Sequence, residues 1–101
     1  MNKIYLLGDI HTVSAFRLAG VTGIVAGKTA APSRFKDVVR QGDAGIIIIT
    51  SELAEGMQEE IARLSLSGTG PVVIEIPGID DERGFRASAV QYIAEALGIA
   101  L

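Results

Sequence analysis

Four consecutive isoleucines, Ile46, Ile47, Ile48 and Ile49, constrain this chain more than any other feature. Successive side chains of a strand point to opposite faces, so an unbroken apolar run leaves neither face for water. Both faces must then be covered, which is the condition of a strand at the centre of a parallel sheet. The run is also the longest purely aliphatic one in the chain, and it is far too short to span a bilayer as a helix.

The segments around it fall into place as alternating strands and helices. Ile4, Tyr5, Leu6 and Leu7, closed by Gly8 and Asp9, read as a buried strand ending in a turn. Residues 12–19 read as a helix with Val13, Phe16 and Ala19 inward. Asp9 or Thr12 is placed to cap it and Gly20 to stop it. A second strand is expected over 21–26. A helix follows from Pro32 to Gln41, with Phe35, Val38 and Val39 inside. After the isoleucine strand, Thr50 or Ser51 caps a helix expected to run to about Ser65. Its apolar positions Leu53, Met57, Ile61 and Leu64 keep helical spacing, and Gly56 weakens it slightly. A fourth strand over 72–76 is interrupted by Glu75, the mark of an edge strand or a partly open face. Pro77 and Gly78 end it, residues 79–84 read as a solvated loop, and 86–101 as a last amphipathic helix.

This alternation implies an α/β fold. The expected form is a four-stranded parallel sheet in a receiver- or flavodoxin-like three-layer α/β/α arrangement, strand order 2-1-3-4, with a C-terminal helix. At 101 residues it makes one core. Residues 1–85 form the receiver-like α/β domain and 86–101 a helical segment, either part of that domain or a tail. With 5% aromatic residues, the core must be mainly aliphatic. A net charge of −3 without a block of Lys or Arg argues against nucleic acid. The absence of cysteine removes thiol catalysis, disulfides and thiolate metal sites. The N-terminus has no signal-peptide pattern, and a cytoplasmic location without direct membrane insertion is expected.

Chemistry in such a sheet would sit at the carboxyl ends of the strands. Those ends offer Gly8, Asp9, Ala26, Gly27, Thr50, Ser51, Pro77 and Gly78. Asp9 stands where a receiver keeps a phosphoacceptor or metal ligand. A receiver also needs a second acid beside it and an aspartate ending the third strand, and Ile10 and Thr50 stand there instead. Asp9 therefore reads as a turn and cap residue. Gly23 and Gly27-Lys28-Thr29 resemble a phosphate-binding loop, but three residues separate the glycines where that loop needs four. His11, the only histidine, has no nucleophile or ligand set beside it and reads as a solvated or capping group. No catalytic residue, cofactor or metal site is assigned. Gly8, Asp9, Thr12, Gly20, Thr50, Pro77 and Gly78 read as turn and cap positions.

The end of the chain is unusual in being apolar: Leu97, Gly98, Ile99, Ala100 and Leu101. Terminal residues are commonly polar and frayed, so this stretch is expected to be buried on its own sheet or on a partner. Phe85, Ala89, Ile93 and Leu97 form a helical stripe, and Val90, Tyr92, Ile99 and Leu101 leave apolar area beyond it. Together with Arg17, on the surface of the first helix, Phe85, Val90, Tyr92, Ile93, Leu97, Ile99 and Leu101 make the candidate partner interface.

Taken in order, four segments resemble a known family. Gly8-Asp9, Thr12-Val13 and the run Phe16-Arg17-Leu18-Ala19-Gly20-Val21 resemble the N-terminal signature of the F subunit of the V-type and archaeal-type (A-type) ATPases. Ile46 to Thr50 with Leu53-Ala54 resembles that family's third strand and helix start. The stretch from Pro71 to Gly78 is similar to its fourth strand and turn, and Ala96 to Leu101 to its last helix. Lys28 to Gln41 departs from the pattern, and the loop after Gly78 is short.

The resemblance implies a non-catalytic component of the central stalk of a rotary motor. It would bind the coiled-coil D subunit, reach the catalytic A and B subunits through its C-terminal helix, and couple ATP hydrolysis or synthesis to proton or sodium transport. It would sit peripheral to the membrane within the complex. The alternative from the residues alone is a stand-alone regulatory module with a degenerate receiver fold. A second alternative is an enzyme or nucleotide-binding protein using Gly27, Lys28 and Thr29 or the Asp9 rim.

Overall fold

In the computed structural model, which describes residues 2–79 and Gly98, strands and helices alternate. Their order is β1 (Lys3–Gly8), α1 (Ile10–Arg17), β2 (Thr22–Val25), α2 (Ala31–Gln41), β3 (Ala44–Thr50), α3 (Ser51–Ala54), α4 (Gln58–Ser67) and β4 (Val72–Ile76). The four strands form one sheet in the order β2-β1-β3-β4, and every pair is parallel. This is the expected α/β fold and strand order. The C-terminal helix over 86–101 and the loop over 80–84 lie outside the described residues.

The isoleucine run divides as a two-sided strand should. Ile47 and Ile49 join Tyr5 and Leu7 in a cluster with Phe35 and Val38 of α2, Leu53 and Ala54 of α3, and Met57. Ile48, with Leu6, packs under Val13 and Phe16 of α1 on the other face, where Ile46 is half-buried. Ile47, Ile48 and Ile49 are fully buried. Each contributes roughly 2–3 kcal/mol by removal of its side chain from water. β4 is an edge strand, and its Glu75 is exposed. β2 is the other edge, and it is two residues shorter than the 21–26 strand expected from its β-branched residues. Val21 is buried just ahead of it, and Val25 is exposed.

Three further expectations need correction. The first helix starts two residues earlier than expected, because Asp9 and not Thr12 caps it: its carboxylate accepts the N–H groups of His11 and Thr12, and the helix ends at Arg17. Ala19 is therefore outside the helix and only half-buried, and Thr12 takes a fully buried inward position. The expected helix from Ser51 to about Ser65 is two helices. Gly56 N–H and Met57 N–H bond the carbonyls of Leu53 and Ala54, three residues back, and Met57 then leaves the helical region at φ −131°, ψ 22°. The Met57 side chain lies buried in the core at this break, and Gln58 Nε2 donates to Ala54 O at 2.8 Å across it. Finally, Thr50 occupies the cap position of α3 but makes no side-chain cap bond. The hydroxyl of Ser51 also leaves that helix end and donates to Ile76 O of β4 at 3.2 Å.

Candidate functional site

The turns after β1, β3 and β4 converge at the carboxyl rim of the sheet, and close approaches at two glycines shape them. A Cβ at Gly8 would lie 2.8 Å from Thr50 Cγ2, so only glycine lets the buried Thr50 methyl sit against the end of β1. A Cβ at Gly78 would lie 3.3 Å from Asp9 Oδ1 and 3.7 Å from Thr12 Oγ1, which brings the strand-four turn onto the start of α1. Pro77 precedes it and ends the ladder, having no N–H to donate.

Asp9 is the half-buried carboxylate at this meeting point, bonded to the start of α1. Its Oδ2 accepts from His11 N–H and Thr12 N–H, both at 3.1 Å, and its Oδ1 from the Thr12 hydroxyl at 2.7 Å. Burial alone would raise its pKa. The bonds from the Thr12 hydroxyl, from Thr12 and His11 N–H groups and from its own backbone outweigh this and hold the carboxyl below its usual range. Thr12 Oγ1 in turn accepts Ile79 N–H at 2.9 Å across 67 residues of sequence. The result is a relay, Ile79 N–H to Thr12 hydroxyl to Asp9 carboxylate, that ties the segment leaving β4 to the N-terminus of α1. Ser51 adds a weaker tie along the same rim, 3.5 Å from Glu75 Oε2.

Of the positions singled out from sequence, the structure thus brings together Gly8, Asp9, Thr12, Thr50, Pro77 and Gly78. Gly20 lies at the other end of α1, at φ +86°, a left-handed conformation suited to glycine, and closes that helix. His11 is exposed beside the rim. Among the described residues no cluster of three His, Cys, Asp or Glu side chains could hold a metal ion. Gly27 has open space where a side chain would be.

Arg17 is exposed at the last turn of α1, with its Nε 3.5 Å from the position a Cβ on Gly23 of β2 would take. Leu18, next to it, is 91% exposed. The two side chains present a cation and an apolar group to solvent at the C-terminal end of α1. Phe85, Val90, Tyr92, Ile93, Leu97, Ile99 and Leu101 lie outside the described residues.

Sequence reading missed the opposite end of the sheet. There the Tyr5 hydroxyl lies 2.9 Å from each of two acceptors, Gln41 Oε1 and Asp43 Oδ1, and Lys3 Nζ lies 3.4 Å from Asp43 Oδ2. Burial, then the bond to Asp43 and its charge, push the Tyr5 pKa up. The Tyr5 bond, ahead of Lys3, holds Asp43 below the usual range against a smaller opposing effect of burial. The partners are nearly forty residues apart in sequence, so only the parallel pairing of β1 with β3 brings them together.

The family model described as ATP synthase (F/14-kDa) subunit matches residues 4–93. Among curated proteins, the chain is 28% identical over 105 residues to the F subunit of the A-type ATP synthase of Thermococcus kodakarensis, covering 98% of this chain and 97% of that protein. It is 33% identical over 78 residues to the corresponding A-type ATP synthase F subunit of Methanothermobacter thermautotrophicus, covering 75% and 73%. The A-type ATP synthase F subunit of Methanocaldococcus jannaschii is 25% identical, with 98% of each chain covered. No helix among the described residues is long and apolar enough to cross a membrane.

Proposed function

The chain belongs to the ATP synthase F/14-kDa subunit family, and from that premise we propose that it is a non-catalytic rotor component of the central stalk of a V/A-type ATPase. In this reading it binds the coiled-coil D subunit and turns with it. It contacts the catalytic A and B subunits through its C-terminal segment, and so couples ATP hydrolysis or synthesis to proton or sodium movement. It is held at the cytoplasmic side, peripheral to the membrane, by its partners.

The observation that carries the reading is the family match across residues 4–93, which spans nearly every described strand and helix from its first residue to its last. The rim supports it: the Asp9 carboxylate is committed to the cap and to Thr12, and thereby fixes where the chain leaves β4. The exposed Arg17 supplies an anchor of a type enriched at interface hot spots.

Co-expression of the full chain with the coiled-coil D subunit tests this reading. The expected result is a stable complex on size exclusion, weakened by Arg17→Glu. When the complex is added to the catalytic head, deletion of 86–101 should reduce ATPase stimulation more than it reduces binding to the coiled coil. A chain that stays monomeric beside the D subunit refutes the stalk assignment and favours the stand-alone regulatory module, whose receiver-like strand order the sheet shares. A rise in melting temperature with nucleotide and magnesium, lost in Lys28→Ala or Asp9→Asn, favours the nucleotide-binding alternative.

A further inference from the structure

The sheet face opposite α1 carries α2, α3 and α4, but it does not cover them equally. α4 has no fully buried residue. Ile61 and Leu64 pack against the core cluster yet remain only partly covered, and Val39 of α2 is in the same condition. The break at Glu55, Gly56 and Met57 accounts for this, because it ends α3 against the sheet and starts α4 as a separate helix. An open groove of about 420 Å³ is left between α2 and α4.

We propose that this groove docks an acidic amphipathic helix of a partner protein. Its floor is apolar, made by Phe35, Val39 and Leu64. Its rim is Lys36, Arg40 and Arg63, with Glu60 the one carboxylate. A local excess of two positive charges on a chain of net charge −3 is the reverse of the molecule's overall sign, so it favours a partner that presents carboxylates. Arg40 has a 3.9 Å contact with Asp37 one turn before it, both side chains well exposed. Among the described residues, Lys36 and Arg63 have no ion-pair partner. The walls are helices of 11 and 10 residues, about 15 Å long each, and side-chain ridges of a third helix fit between two such walls. At the amino ends of the strands the groove opens, past Val39, Leu64 and Ser67, into a polar hollow that includes Asn2 and Thr69, where the end of a docked helix meets hydrogen-bonding groups.

This surface lies on the other side of the sheet from Arg17, so it goes beyond the stalk reading and stands without it. A partner here and another on α1 would make the chain a bridge between two proteins.

The test uses the full chain, labelled for amide NMR, and two designed peptides of about 18 residues, long enough for partial helicity. Both carry the same leucine stripe; one flanks it with glutamate and the other with lysine. The glutamate peptide should shift amides over 35–40 and 60–67, with affinity falling as salt rises. Lys36→Glu with Arg63→Glu should weaken it by about tenfold or more and favour the lysine peptide. These side chains are exposed, so the variant should keep the wild-type melting temperature and spectrum. Equal binding of both peptides, shifts confined to α1, or unchanged affinity in the double variant overturns the proposal. So does a preference for vesicles containing phosphatidylglycerol that produces the same shifts, since that would make the groove a membrane-facing patch.

Discussion

Replacing Thr12 by valine keeps the shape of a fully buried side chain and removes only its hydroxyl. Two bonds go with it: the 2.7 Å donation to Asp9 Oδ1 and the 2.9 Å acceptance from Ile79 N–H. A bond to a charged acceptor is worth about 1.5–3 kcal/mol, and a stranded buried N–H costs about 1–3 kcal/mol. Asp9 and Ile79 are both only half-buried, so water replaces part of each loss. The expected destabilisation is therefore about 2 kcal/mol, or a fall in Tm of roughly 8–16 °C for a domain of this size. Thr12→Ser is the control, because it keeps the relay and gives up one buried methyl, worth roughly 0.8 kcal/mol. Urea titration should show a lower midpoint for valine than for serine at an unchanged slope. The Ile79 amide should exchange faster in the valine variant only. If valine costs under about 0.5 kcal/mol, or serine costs as much as valine, the hydroxyl is not what holds the strand-four turn to α1.

The Asp9 carboxyl has a folded pKa below its ordinary value, so its contribution is present above the unfolded value, about pH 3.9, and is lost as pH falls through the folded one. Asp9→Asn should remove that part of the acid limb, seen as a flatter stability curve below about pH 4 than the wild type shows. Gly23→Ala places a Cβ in the space that Val13 Cγ1 of α1 already fills and should cost about 1–3 kcal/mol in a urea titration. Gly27→Ala, with open space at its Cβ, should stay within about 0.5 kcal/mol of wild type. Tyr5→Phe should cost about 1–2 kcal/mol and move the Asp43 carboxyl up toward its ordinary range in an NMR titration, because the tyrosine bond is the main influence holding it down.

What the sequence made legible was whatever rests on period and burial. Four isoleucines admit no polar face, and the strand they form is central with both faces covered. A charge at Glu75 marks a strand with an open side, and β4 is an edge. Six rim residues named from sequence meet in space because parallel strands end on the same side, so their following turns have to converge. The helix break at Gly56 was not legible, since Leu53, Met57, Ile61 and Leu64 keep one phase whether the helix is straight or broken. The start of α1 was ambiguous for a different reason. Asp9 and Thr12 are both good caps, and the choice is made by Ile79, whose N–H takes the Thr12 oxygen from far along the chain. The groove between α2 and α4 was invisible because amphipathicity tells which side of a helix faces inward, not how deeply it sits.

The features that sequence left open are the ones that fix where elements end and how they lean. The relay through Thr12 sets the point at which the chain leaves β4 for its C-terminal segment. The break at Met57 sets how far α4 stands off the sheet. For the stalk role proposed above, surfaces of defined position matter more than reactive groups. Here the same hydrogen bonds that use up the rim's polar groups give that position. Aspartate at the end of β1 thus serves the fold as a clamp, its carboxylate bonded to the start of α1 and to the Thr12 hydroxyl.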